Sequence, residues 1–307
     1  MNHRIRAWLL ILLIAAICGA SLWAVAWYRG RALTPAALLA RVPRSGAVVV
    51  YVDFAALRRS GLLDELDTPK VSEDPEYQSF VRGTDFDYKQ DLDAALVAFA
   101  PTGKYLLVRG RFDWKSLRGY ANSQNGRCFN SLCRMPGSTP ERRISFFPLQ
   151  QNLMALAVSA DDSAAVRMIN APSSPAAGDV PDAPVWISIP GSVLKSQDAL
   201  PADTRLFAQS IGQAESVSVS FVPEGNRLSA RLNVRCHSDQ EASTLAAQLS
   251  RATGLLRQMI ASQHHTPNPA DLTGVLTSGS FRSAGARVYG YWPIERSFVD
   301  NILGGQS

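Results

Sequence analysis

Four groups of residues in this chain have types and spacings that chemistry could use. Ser192-Val193-Leu194-Lys195 places a hydroxyl and an amine three residues apart, the serine–lysine spacing of penicillin-recognising enzymes. Ser238-Asp239-Gln240 approximates their second motif, but the third, Lys-Thr-Gly, is missing, because Leu276-Thr277-Ser278-Gly279 has no lysine. Asp85, Asp87, Asp91 and Asp93 crowd one stretch; oxygen ligands suit calcium, yet the spacing misses the EF-hand pattern and reads as a solvated acidic turn. His264-His265 precede Thr266-Pro267-Asn268-Pro269, and adjacent histidines on a helix point apart and chelate poorly.

The fourth group is Cys128 and Cys133, set in a polar stretch, 122–143. A disulfide there would staple a short loop in an oxidising compartment. Two free thiols, or half of a zinc site, are the other readings; no second Cys or His pair lies nearby to complete four ligands. Cys18 and Cys236 read as an apolar-segment cysteine and a buried strand-end thiol. The chain has no phosphate-cradling glycine loop, no HExxH and no GxSxG. No catalytic residue is assigned on this reading, and neither a metal nor a cofactor is expected.

The elements that would position these residues follow from hydrophobic period. Residues 171–184 carry four prolines, which exclude helix and central strand and mark a linker at 171–183. On either side the pattern is the same: strand, helix, hairpin, helix, hairpin, helix. The first copy, 45–170, opens with Ala47–Asp53, feeds a helix through Phe54, Leu57, Leu62 and Leu66, and turns Ala94–Phe99 into Tyr105–Phe112. Asp113 caps a helix, Ile144–Phe147 pairs with Met154–Val158, and a last helix spans about 161–170. The second copy, 184–307, opens with Val185–Ile189 and turns Ser216–Val222 into Leu228–Cys236. Ser238 and Glu241 form a capping box for a helix to about Ser262, with Leu245, Leu249, Leu256, Met259 and Ile260 as its apolar stripe. Val275–Phe281 then pairs with Arg287–Tyr291. Serines alternate with Val217, Val219 and Phe221, and Arg231, Asn233 and Arg235 alternate with apolar residues, the period of half-buried antiparallel strands. The expected class is α+β, two pseudo-repeats each with an antiparallel sheet and helices packed on one face.

The amino terminus says where such a body sits. Ala7–Tyr28 is 22 residues without a charge, following Arg4 and Arg6. As a helix it would reach about 33 Å, enough for a hydrocarbon core of about 30 Å. Trp8, Trp23, Trp27 and Tyr28 cluster towards its ends as an interfacial belt, and Arg29 and Arg31 begin a basic stem at 29–44. Residues 1–28 therefore read as a tail and transmembrane anchor. The competing reading is a cleaved signal peptide, since Ala24-Val25-Ala26 has the small-x-small form, although the apolar run exceeds the usual h-region of about 7–15 residues.

Charge narrows the partners. The formal net charge is +5. Residues 1–59 hold eight arginines and one acid, so 60–307 keep 23 basic and 25 acidic groups. A nucleic-acid binder would carry its basic excess on the folded body; here it lies beside the bilayer, so no nucleic acid is expected. The opening Pro43–Asp53, so soon after an anchor, loosely resembles uncharacterised bacterial membrane-anchored proteins with an extracytoplasmic duplicated α+β body. That resemblance implies location and no activity.

Two function classes remain. One is a membrane-anchored, non-enzymatic envelope protein, its body on the periplasmic side, that binds an envelope protein or an apolar ligand. The other is an envelope hydrolase using carboxylates or the Ser192–Lys195 pair. If Ala7–Tyr28 is an anchor, the full-length protein should resist carbonate extraction of membranes and be released by detergent. A soluble form beginning near Trp27 would show cleavage instead.

Overall fold

A computed structural model describes residues 33–65, 75–169, 180–195, 211–225 and 227–303. The described chain opens with α1 (Pro35–Leu39), β1 (Val48–Val52) and a helical stretch of α2 (Phe54–Arg59), α3 (Leu62–Glu65), α4 (Pro75–Thr84) and α5 (Tyr88–Asp91). β2 (Leu92–Ala100), β3 (Gly103–Gly110), α6 (Trp114–Ser123), β4 (Arg127–Phe129), β5 (Leu132–Met135), β6 (Arg143–Gln150), β7 (Leu153–Ser159) and α7 (Ala164–Arg167) follow. Then come β8 (Val185–Pro190), α8 (Gly191–Leu194), β9 (Ser216–Glu224), β10 (Arg227–Arg235), α9 (Asp239–Ser262), α10 (Leu272–Ser278), β11 (Ser280–Ala284), β12 (Arg287–Ile294) and α11 (Arg296–Leu303). The class is α+β.

All twelve strands among the described residues join one antiparallel sheet, in the order β11-β12-β10-β9-β8-β1-β2-β3-β7-β6-β5-β4. β1 and β8 meet in its middle, with Tyr51 opposite Trp186 and Val50 opposite Ile187. The rings of Tyr51 and Trp186 stack with centroids 5.5 Å apart, and both side chains are buried. A bond from Asp53 N–H to Pro184 O, 2.7 Å, extends this pairing by one rung. The hairpins are tight for local reasons. Gly103 has φ +144°, and a Cβ there would come within 2.5 Å of the Val158 carbonyl oxygen.

The expectation of helices on one face is corrected for the first copy, where they cover both, while in the second α8 and α9 share one core cluster on one face. On the face carrying Tyr51, Leu38 of α1 and Ala164 and Ala165 of α7 pack with Leu96, Leu107, Ala155 and Ala157. On the face carrying Val50, Leu117 and Ala121 of α6 pack with Phe146 and Met154, and α9 packs Leu245, Ala246 and Leu249 on Val217, Leu232 and Val234. The reason lies in β2, β3 and β7, which are apolar on both sides and so require cover on both.

Several boundaries move as well. The helix expected through Leu66 is broken at Gly61, φ +76°, into α2 and α3. The acidic stretch is a turn only in part: Asp85 and Asp87 lie between α4 and α5, where Asp87 accepts from Lys89 N–H at 3.0 Å to cap α5, but Asp91 ends α5 and Asp93 lies in β2. The 161–170 helix shrinks to α7, because Asp161 turns back to accept from Ser163. Residues 275–278 are helical, with Asp271 capping α10, and the strand begins at Ser280. The capping box at Ser238 forms, although Glu241 reaches the N–H of His237. The α9 stripe is buried only as far as Thr253; Met259 is exposed.

Leu96 is fully buried at the sheet centre, so its truncation should be costly. Leu96→Ala should destabilise by about 3 kcal/mol, from lost transfer energy and the cavity left. Leu255→Ala, on the exposed side of α9, should stay within about 0.5 kcal/mol. Denaturant midpoints of the detergent-solubilised protein measure both.

Candidate functional site

The central strands leave apolar side chains incompletely covered. Leu106, Val97, Val50, Ile187 and Val219 are successive cross-strand partners on β3, β2, β1, β8 and β9, so they form one row on one face. All five are half-buried, and neighbouring Phe99 is exposed. α6 flanks this row towards β4 and β5, and α9 towards β11 and β12. Fully burying a Val, Leu or Ile side chain is worth about 1.5–3 kcal/mol. These five are already more than half covered, so further cover gains only part of that for each, and the sum over the row favours an apolar occupant.

The opposite face changes character at β8. From there outward its residues are Ser188, Ser216, Ser218, Ser220, Arg231, Asn233, Arg235, Tyr289 and Tyr291. None of the described helices shares a core cluster with them. Two cavities open there, of about 290 and 680 Å³, and share Pro181, Ser218 and Asn233 as walls. At the far end Glu224 accepts from Ser229 (2.9 Å), Arg231 (2.6 Å) and Tyr291 (3.0 Å). The Arg231 and Ser229 hydrogen bonds pull the Glu224 carboxyl below its usual range, and Glu224 in turn raises Tyr291. At the seam, burial and then the charge of Asp53 push Tyr51 up to about 12.

The other candidate groups do not converge. Ser192 and Lys195 sit exposed on and just beyond the single turn of α8. Among the described residues, no three His, Cys, Asp or Glu side chains are placed to hold a metal ion. Asp91 instead pairs with Arg111 at 2.9 Å. His264 and His265 are exposed beyond the end of α9. Trp8, Trp23, Trp27, Tyr28, Arg29 and Arg31 lie outside the described residues, as does most of the 171–183 linker. No helix among the described residues is long and apolar enough to cross a membrane.

Cys128 and Cys133 are set by turn chemistry rather than by a loop. Asn130 and Ser131 both take positive φ, 47° and 68°, the two-residue turn that matches strand twist. β4 and β5 thus pair with Cys128 opposite Cys133, Cα atoms 4.0 Å apart and sulfurs at bonding distance. Trp186, Arg44 and the Glu224 network escape sequence reading. The serine and arginine alternation gives the face of Ser229 and Arg231, but only the neighbouring strands bring Glu224 and Tyr291 to them.

No protein-family model matches the chain, and no curated protein sequence does. Solved structures do. The fold is similar to that of TP0453 in crystal form III, with a TM-score of 0.51 and 10% identity over 87% of this chain and 96% of that one. Form IV gives a TM-score of 0.50 and 10% identity, over 87% and 95%. At that identity the likeness is one of fold alone.

If the body faces an oxidising compartment, quenched alkylation of protein from its native host should find Cys128 and Cys133 blocked. Replacing both with Ser should loosen 122–143 without unfolding the sheet, because a loop this short stabilises by less than the roughly 3 kcal/mol of a fifteen-residue one. Mass mapping and hydrogen exchange read the two outcomes.

Proposed function

We propose that this chain is a membrane-anchored, extracytoplasmic, non-enzymatic protein that binds a partner or an apolar ligand in the cell envelope. The observation that carries the reading is the half-buried row Leu106, Val97, Val50, Ile187 and Val219, flanked by α6 and α9. The uncharged run Ala7–Tyr28 supports the anchor, and the paired Cys128 and Cys133 support an external body.

A duplicated body is part of the same proposal. Outward from the seam the order is β1-β2-β3-β7-β6 on one side and β8-β9-β10-β12-β11 on the other. Each side therefore places its opening strand at the seam, its first hairpin next, and its second hairpin reversed beyond. β5 and β4 are an addition to one side only.

The hydrolase alternative lacks comparable support. Shifted carboxylates among the described residues, at Asp113, Asp161, Glu224 and Asp271, all move down, towards the charged form. A general acid for work near neutral pH would be raised.

The test is to purify the protein from its native membrane in detergent and identify what accompanies it. The expected result is one apolar ligand or one envelope protein at fixed stoichiometry. Val50→Ser with Ile187→Ser should lower its occupancy by about tenfold, the effect of roughly 1.4 kcal/mol. Companions unaffected by that pair would contradict the assignment of the row.

A further inference from the structure

The smaller cavity, about 290 Å³, lies on the other face of the sheet from the apolar row and has a different chemistry. Its walls include Arg44, Arg235 and Arg287, the hydroxyls of Ser188, Ser216 and Ser218, and the indole of Trp186. No Asp or Glu is among the described residues that line it. Arg235 and Arg287 each take part in a further interaction, which a guanidinium group with five donors can combine with an added ligand.

Trp186 is the distinctive member. It is 1% exposed, and its Nε1–H is buried without a hydrogen-bond partner. An indole N–H can only donate, and guanidinium groups likewise offer donors alone. A buried donor left unmade costs about 1–3 kcal/mol, and native structures rarely leave one. The missing group is therefore an acceptor, and the guanidinium of Arg44, with those of Arg235 and Arg287 beside it, favours a negative one. The volume equals roughly ten water-sized groups, so the acceptor can bring a few carbons with it. Leu39, Val49 and Val180 give those carbons an apolar wall.

We propose that this cavity binds a small oxyanion, a phosphate or carboxylate group, with Trp186 Nε1–H donating to it and Arg44, Arg235 and Arg287 supplying the positive field. The site is independent of the apolar row, and its occupant is a different class of ligand. Charge-assisted bonds from arginine to such oxygens are the strong ones, which explains a pocket rich in guanidinium groups and poor in acids.

The experiment follows the Trp186 indole resonance in full-length, detergent-solubilised protein carrying ¹⁵N-labelled tryptophan. Its loss in Trp186→Phe assigns the signal among the six tryptophans. Inorganic phosphate and acetate are titrated separately, with chloride at matched ionic strength as reference. The expected result is a saturable movement of the Trp186 signal with phosphate or acetate and none with chloride. Arg44→Gln, at an exposed position that leaves the core intact, should weaken the effect by at least about tenfold. A short-chain phosphatidic acid binding more tightly than inorganic phosphate would make the source a lipid headgroup; the reverse order would make it a free ion. No saturable movement with any of these probes, or the same movement with chloride, would overturn the site.

Discussion

β1 is five residues long, and both of its edges are used: β2 pairs along one and β8 along the other. Tyr51 and Trp186, directly opposite across the second edge, stack as buried rings. Aromatic cross-strand pairs of this kind contribute about 0.5–1.5 kcal/mol beyond their buried area. The consequence is larger than that energy. Without the β1–β8 seam there would be two sheets, each with an exposed edge of β-branched residues. With it, the strands before and after the proline-rich segment form a single ladder.

The seam also sets the two faces in register. Because opposed residues share a face, Tyr51 and Trp186 carry the covered core of α1 and α7 up to the point where Ser188 begins a polar surface. The same register continues the row of Val50 and Ile187 from β3 to β9 on the other side. A slip of one residue would exchange the two, turning Trp186 towards α9 and burying serines under it. The donor-lined cavity and the apolar row are thus two results of one alignment. They lie on opposite faces, so each can be filled without competing with the other.

Much of this was legible in the residues. The period of two at Ser216–Val222 and Leu228–Cys236 gave strands β9 and β10 to within a residue or two, and Ser238 marked the start of α9. Caps are local signals, and local signals survive. The Gly61 break and the short α7 were missed because a side chain or a left-handed glycine ended a helix that period alone would continue. The 122–143 stretch read as a polar loop because β4 and β5 are too short to show a period. Cover on both faces was missed for a different reason. β2 alternates buried and half-buried residues, but both sets are apolar, and nothing local says how many helices they need. The site was less legible still: Arg44, Trp186 and Arg287 are far apart in the chain and meet only through strand order.

The central claim is that the β1–β8 seam is as firm a part of the molecule as the hairpins it joins. Hydrogen exchange of the full-length protein, resolved at the level of single strands, tests this most directly, since amides protected only by global unfolding exchange slowest. The account predicts that the bonded amides of β1 and β8 exchange as slowly as those of β2 and β3. Exchange at the seam far faster than in the β2–β3 hairpin would mean that the two sides part on their own. The sheet would then be two bodies in contact, and the shared register of its faces would no longer explain either site.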